Sequence, residues 1–358
     1  MMNPISTPSF RRTPESRLFR QSNKLGSGVR RNDGIVGRVC ALTLTSLLAA
    51  FASGAMAQAY PTKPIRLIVG FPPGGSNDIV ARIVAPKLGE LLGQQVVVEN
   101  RAGANATIGT EFVAKSAPDG YTILLGSASA VAISPHTYSK LGYDTLRDFA
   151  PVTAIAMTPE ALAVHPALPV KDLKSLIALA RLHPGKLDFA SSGNGGLPHL
   201  AIELFKTLAK VNVQHVPFKG AGPAVTDLLG GHVQGIIMDF PAIQAQMKAG
   251  KLRGVVLAAE KRIAQMPDLP TSIEAGLPDL QAVNWFVILA PVKTPAPVVQ
   301  RLYGSLIKAV NAPEVRDRLS SVGVEVFTQS SSVLCADFLR DELVRWGKVA
   351  KASGARAD

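Results

Sequence analysis

Apolar positions change period sharply near residue 70. Ile65-Arg66-Leu67-Ile68-Val69 is a short apolar run of the kind that forms a buried strand. Ile79, Val80, Ile83, Val84, Leu88, Leu91 and Leu92 then recur at helical spacing. Between them stands Gly70-Phe71-Pro72-Pro73-Gly74-Gly75-Ser76-Asn77-Asp78. Pro72 and Pro73 stop the strand, because neither can donate to a sheet ladder. Gly74 and Gly75 permit a sharp turn, and Ser76 is placed to cap the helix. The result is a cup of backbone N–H groups at the positive end of a helix, which suits a small anion. Glycines in such a turn also serve purely steric needs. Asp78 cuts across the anion reading. It either pairs with Arg82 at i,i+4 or meets an ammonium or hydroxyl group on a ligand.

The same alternation continues downstream. Val96–Val98 reads as a strand, 99–105 as a loop, and about Thr107–Lys115 as a helix. Tyr121–Leu125 is a strand that runs into Gly126-Ser127. Asp172 caps a helix whose inner face is Leu173, Leu176, Ile177 and Ala180. Leu187–Ala190 leads into Ser191-Ser192-Gly193-Asn194-Gly195-Gly196 and a helix from about Leu197 to Lys210, repeating the opening architecture. Val213–Val216 leads to a third such loop, Pro217 to Pro223. Further strands are expected at 233–239, 254–258, 284–290 and 324–328, with helices at about 296–311, 313–322 and 333–353. Strand–helix–strand order implies an α/β fold of mainly parallel sheets flanked by helices.

These elements exceed what one sheet needs. Extended stretches at Pro151–Pro159 and Ala282–Pro291 are placed to carry the chain into a second lobe and back. The expected division is 58–157 plus 284–358 for a discontinuous first lobe and 158–283 for the second. A Gly-rich cup from each lobe then faces a shared cleft.

The first 57 residues differ in kind. A basic stretch with Arg11, Arg12, Arg17, Arg20, Lys24, Arg30, Arg31 and Arg38 precedes an uncharged run from Val39 to Ala52 and an A-x-A site at Ala55-Met56-Ala57. That layout is a secretory signal peptide cleaved near Ala57, which places the mature protein in the periplasm. The apolar run falls short of the ~20 residues of a membrane span. The prefix holds eight of the 38 Lys and Arg and two of the 26 Asp and Glu, so the formal charge of +12 falls to +6 without it. No basic stripe with interleaved aromatics appears, which argues against nucleic acid. Cys335 is the one cysteine downstream of the prefix, so no internal disulfide is expected there.

No HExxH, Walker A, CxxC or GxSxG motif is present, and the six histidines show no metal-ligand spacing. No cofactor, metal or catalytic residue is expected. His199 is the one histidine beside a Gly-rich loop, where it either bonds the loop backbone or touches a ligand. Ser192 with His199 has the outline of a nucleophile–base pair, but no acid is marked to orient the ring. Ser127, Ser191 and Ser192 lie at strand C-termini, where open α/β sheets place ligands. Asp239 follows a strand and serves either as a ligand contact or as a helix cap.

Ordered motifs carry a resemblance over nearly all of Tyr60 to Trp346. They include Phe71-Pro72-Pro73-Gly74-Gly75-Ser76-Asn77-Asp78, Val98-Glu99-Asn100-Arg101-Ala102-Gly103-Ala104, Pro118-Asp119-Gly120-Tyr121, Ser191-Ser192-Gly193-Asn194-Gly195, His215-Val216-Pro217-Phe218-Lys219-Gly220 and Pro267-Asp268-Leu269-Pro270-Thr271. The chain resembles the tripartite tricarboxylate transporter receptors, also called Bug receptors. The resemblance implies a two-lobed type II Venus-flytrap fold and a periplasmic receptor that captures a small carboxylate. It also implies delivery to membrane permease subunits by a monomer. A sensing module on the same fold is the alternative, and a periplasmic hydrolase a more distant one. By resemblance, one pincer maps to Pro73, Gly74, Gly75, Ser76, Asn77 and Asp78. The second maps to Ser192, Gly193, Asn194, Gly195 and Gly196 with His199. Ser127, Lys219 and Asp239 complete the expected cleft. Three positions depart from the family pattern: Asn77 for Ser or Thr, Gly196-Leu197-Pro198 before the histidine, and Glu160 where an apolar residue is frequent.

Overall fold

In the computed structural model, Ile65–Val69 forms β1 and Ser76–Leu92 forms α1. The structure describes residues 60–357, all within the unit Gln58–Asp358. The expected signal segment and its cleavage site near Ala57 lie outside the described residues. β1 is buried throughout except at Arg66. α1 buries Val80, Ile83, Val84, Leu88 and Leu92, the stripe set by its spacing. It ends at Gly93, in the left-handed conformation that suits a C-terminal glycine.

The first half of the sheet continues with β2 (Val96–Asn100), α2 (Thr107–Ala114) and β3 (Thr122–Ser127). Glu99 and Asn100, expected in a loop, extend β2, because their backbones pair with Ile68 and Val69 of β1. β2, β1 and β3 are parallel, as expected. A π-helical turn at Ser129–Ile133 and a short α3 (Ser134–Thr137) follow, where no element was expected.

The long strand β4 (Phe149–Val164) then crosses the molecule. The second half holds α4 (Leu173–Leu182), β5 (Asp188–Ser191), α5 (Leu197–Ala209), β6 (Gln214–Pro217), α6 (Ala221–Leu229), β7 (Gly235–Asp239), α7 (Phe240–Lys248) and β8 (Arg253–Leu257). Asp172 caps α4 as read, in a reciprocal capping box with Ser175. β6, β5 and β7 form the second parallel set.

The chain returns through β9 (Val283–Pro291), α8 (Ala296–Asn311), α9 (Pro313–Ser321), β10 (Glu325–Val326) and α10 (Ser332–Ser353). β4 pairs with β9 from Phe149 to Pro159, then with β7 and β8 from Glu160 to Val164. These ladders are antiparallel, so the two parallel sets are joined by a mixed centre. The sheet order is β2-β1-β3-β9-β4-β7-β5-β6. The β4–β9 ladder shifts register just after Pro151, which cannot donate to it.

One apolar core packs α1, α8 and α9 on the first half, around Leu67, Leu88, Phe286 and Leu306. Another packs α6 and α7 on the second, around Leu228, Ile236 and Ile243. A third runs between the halves, joining Val131 and Ile133 to Leu200 and Phe205 of α5 and to Trp346 of α10. This continuity seats α5, and therefore the Ser192–Gly196 loop before it, against the first half. Cys335 is fully buried on α10, and burial pushes its thiol up to about 12. That favours a packing role over a reactive one.

Candidate functional site

The Gly-rich loop between β1 and α1 turns at Gly74, whose φ of +87° lies in the region that favours glycine. The helix cap is Gly75, not the expected Ser76, and no side chain caps the first turn. Ser76 is instead the first helical residue, and its hydroxyl donates to Asp239. The first-turn N–H groups of α1 are left without intrahelical acceptors.

Three more helices of the second half start at the same place. Pro198 in the first turn of α5, Ala221 at the start of α6 and Ala242 in the first turn of α7 all face the cavity that Gly75, Ser76 and Asn77 line. Phe71, Pro72, Ser129, Ser192, Met238, Asp239 and Asn284 complete it. Its volume is about 30 Å³. Four positive helix ends therefore meet around one small space.

The cavity wall is held by bonds within the first half and across to the second. Asn284 Nδ2, on β9, donates to both Asp239 oxygens at 3.0 and 3.1 Å. Asn284 Oδ1 accepts from the Ala128 N–H at 3.3 Å. Ser129 Oγ accepts from the Leu197 N–H at 2.9 Å, which satisfies one free donor at the start of α5. Thr137 Oγ1 donates to the Gly195 carbonyl at 3.0 Å. Asn77 Nδ2 is buried and has no hydrogen-bond partner. Glu160 is the cross-strand neighbour of Asp239 and is fully buried. Burial first, then the Asp239 charge, pushes the Glu160 carboxyl well above the usual carboxylate range.

Asp78 lies outside the cavity lining. Its carboxylate accepts from Arg82 Nε at 2.9 and 3.0 Å, from the Gly74 N–H at 3.1 Å and from Asn100 Nδ2 at 3.0 Å. Burial opposes ionisation, but these bonds outweigh it and hold the carboxyl below the usual carboxylate range. These bonds are the internal role open to Asp78: it ties the loop to the helix that follows it.

His199 also turns away from the cavity. Nδ1 accepts from the Gly195 N–H at 3.0 Å, and the ring stacks on His215 with centroids 3.8 Å apart. Burial holds its pKa below the ordinary value. It bonds its own loop, and Ser192 makes no pair with it. His215 Nε2 lies 2.6 Å from Ser191 Oγ, and no carboxylate hydrogen-bonds the His215 ring among the described residues.

Of the residues read from the sequence, Gly75, Ser76, Asn77, Ser192 and Asp239 are brought together at the cavity. Gly193, Asn194 and Lys219 line an adjoining groove of about 530 Å³, which shares Phe71, Pro72 and Ser192 with the cavity. Pro73, Gly74, Gly196 and Ser127 line neither, although Ser127 Oγ is buried without a partner. Gly220, with φ +107°, lies where a Cβ would come 2.9 Å from Pro72 Cγ, so the third loop closes directly on the first. Sequence reasoning missed Ser129, Pro198 and Asn284. Asn284 carried a signal, as a lone amide at the start of an otherwise apolar strand.

Known proteins share this architecture. A family model described as "Tripartite tricarboxylate transporter family receptor" matches residues 80–355. Protein BugT of Bordetella pertussis is 37% identical over 309 residues, which is 86% of this chain and 94% of that protein. Rhodopseudomonas palustris Rpa4515, solved with adipate, is 35% identical with a TM-score of 0.80, over 83% of this chain and 99% of that one. MatC (Rpa3494) from Rhodopseudomonas palustris, with bound malate, is 32% identical with a TM-score of 0.77, over 81% and 99%. The two-lobed α/β fold, the converging Gly-rich loops and these matches together establish that the chain belongs to the tripartite tricarboxylate transporter receptor family, the Bug receptors.

Proposed function

We propose that this protein is a periplasmic receptor that captures a small carboxylate between its two lobes for uptake. The observation that carries this reading is the convergence of four helix N-termini on one buried cavity. Free N–H groups and positive helix ends there favour an anion without any cationic side chain. Residues 58–157 and 284–358 act as one lobe and 158–283 as the other, with β4 and β9 as the connecting strands. The Gly75–Asn77 turn and the Ser192–Asn194 loop are the two jaws. The prefix acts as a signal peptide cleaved near Ala57, and the loaded monomer hands its ligand to membrane permease subunits.

The cavity is narrow, about 30 Å³, and is walled on opposite sides by the two jaws. Uptake from solution therefore requires the jaws to part and close again. Titration calorimetry of the purified protein with succinate, malate, aspartate, adipate and propionate tests the binding claim. Small-angle scattering with and without the tightest of them tests closure. Saturable binding with a smaller radius of gyration is expected. No binding at about 5 mM, weaker than any useful receptor affinity, would remove the reading.

A further inference from the structure

The polar groups of the cavity divide into two kinds. On one side stand donors: the first-turn N–H groups of α1 and Asn77 Nδ2, which has no partner. On the other stand acceptors. Ser76 has committed its hydroxyl proton to Asp239, so only its oxygen lone pairs face the space. Asn284 has likewise turned its amide N–H toward Asp239. A carboxylate offers about four lone-pair sites, and Ser76 and Asn284 do not fill those of Asp239.

Among the described residues, no Lys, Arg or His side chain lines the cavity. Behind Asp239 stands a second acid, Glu160, fully buried and facing it across the β4–β7 ladder. Glu160 keeps its proton there, so the wall holds one carboxylate, Asp239, and setting it there with no cationic side chain among the described lining residues is costly. A ligand bearing a proton donor relieves that cost, and a plain carboxylate adds to it.

Resting on the receptor reading, we propose that the site selects carboxylates that carry an ammonium or hydroxyl donor beside the carboxylate. The carboxylate meets the α1 N-terminus and Asn77, and the donor meets Asp239. Asp239 is thus a specificity-determining residue.

Succinate, malate and aspartate share one carbon skeleton and differ by hydrogen, hydroxyl or ammonium at a single carbon. Calorimetric titration of the full protein with each is the test. Malate or aspartate should bind about tenfold or more tighter than succinate, and which of the two leads identifies the donor. Asp239→Asn should bring all three to within about threefold of one another while succinate binding persists. Should Asp239→Asn not fold, 2-methoxysuccinate titrated into the wild-type protein supplies the second arm: with no proton to donate it should bind no tighter than succinate, and binding as tight as malate would overturn the inference. Wild-type succinate binding as tightly as both others would overturn the inference and leave the receptor reading intact. Failure of all three to bind would overturn the inference, and the receptor reading with it only if adipate and propionate fail as well.

Discussion

Glu342 offers a sharp test of how the site is braced. Its Oε2 accepts from Trp285 Nε1 at 2.7 Å and from Trp346 Nε1 at 2.9 Å. Trp285 is 3% exposed and Trp346 1%. Glu342→Ala leaves two indole N–H groups buried without an acceptor, at about 1–3 kcal/mol each. The Arg345 partner is half exposed and adds little. The loss should be about 3–5 kcal/mol, a large share of a typical stability of about 5–15 kcal/mol. Glu342→Gln keeps an acceptor oxygen, neutral and weaker, and should cost about 1–2 kcal/mol. Urea unfolding followed by circular dichroism gives both values. The chain has two tryptophans, both at this carboxylate, so their emission reports the same site. Trp285 follows Asn284, which holds Asp239, so Glu342→Ala should also weaken ligand binding severalfold. A loss below about 1 kcal/mol for alanine, or equal losses for alanine and glutamine, would show that the indoles find other acceptors and refute the brace.

Three further outcomes follow from the geometry. Asp78→Asn should cost about 1–2 kcal/mol at neutral pH, with Arg82 half exposed. The Asp78 carboxyl is depressed in the fold, so its contribution is present above the ordinary carboxylate range and is lost as pH falls through and below it. Urea midpoints of variant and wild type should converge as pH falls below the ordinary carboxylate range, and the ranking of succinate, malate and aspartate should not change. A reversed ranking would return Asp78 to the ligand. Gly220→Ala places a methyl against Pro72 at a backbone conformation that L-residues rarely adopt. It should loosen the contact between the loops and weaken carboxylate binding about tenfold by calorimetry, and unchanged affinity would count against direct closure there. His215 is held down to about 3, by burial first and then by the charges on His199 and Lys206. It stays neutral in the fold while the unfolded chain takes up a proton below about pH 6.5. Stability is therefore whole above that value and falls with pH toward about 3, losing about 1–2 kcal/mol by pH 5. His215→Asn should flatten that slope, and an unchanged slope would assign it elsewhere.

The framework was legible because its signals are local. The apolar run before Gly70 and the helical stripe from Ile79 to Leu92 each need only their own residues to be read. Glu99 and Asn100 were misplaced in a loop because nothing in their side chains demands a strand, and the partner strand β1 supplies the reason. The π-helical turn at Ser129–Ile133 was invisible for a similar cause. Its small residues fit many conformations, and the packing of α5 and α10 against it decides among them.

The site was legible as far as its backbone and no further. Gly74, Gly75, Ser192 and Gly193 announce two loops that leave N–H groups free, and chain order already implies that they face each other. Side-chain roles are different, because they depend on partners far away in sequence. Asp78 and Asp239 are both acids beside a strand C-terminus, and one residue type cannot say which is already satisfied. Arg82, four residues along, and Asn100, on the next strand, neutralise the first. The second receives only neutral donors and backs onto Glu160. The acid nearest the Gly-rich turn in sequence therefore builds the turn, and the acid 163 residues from Ser76 faces what the turn encloses.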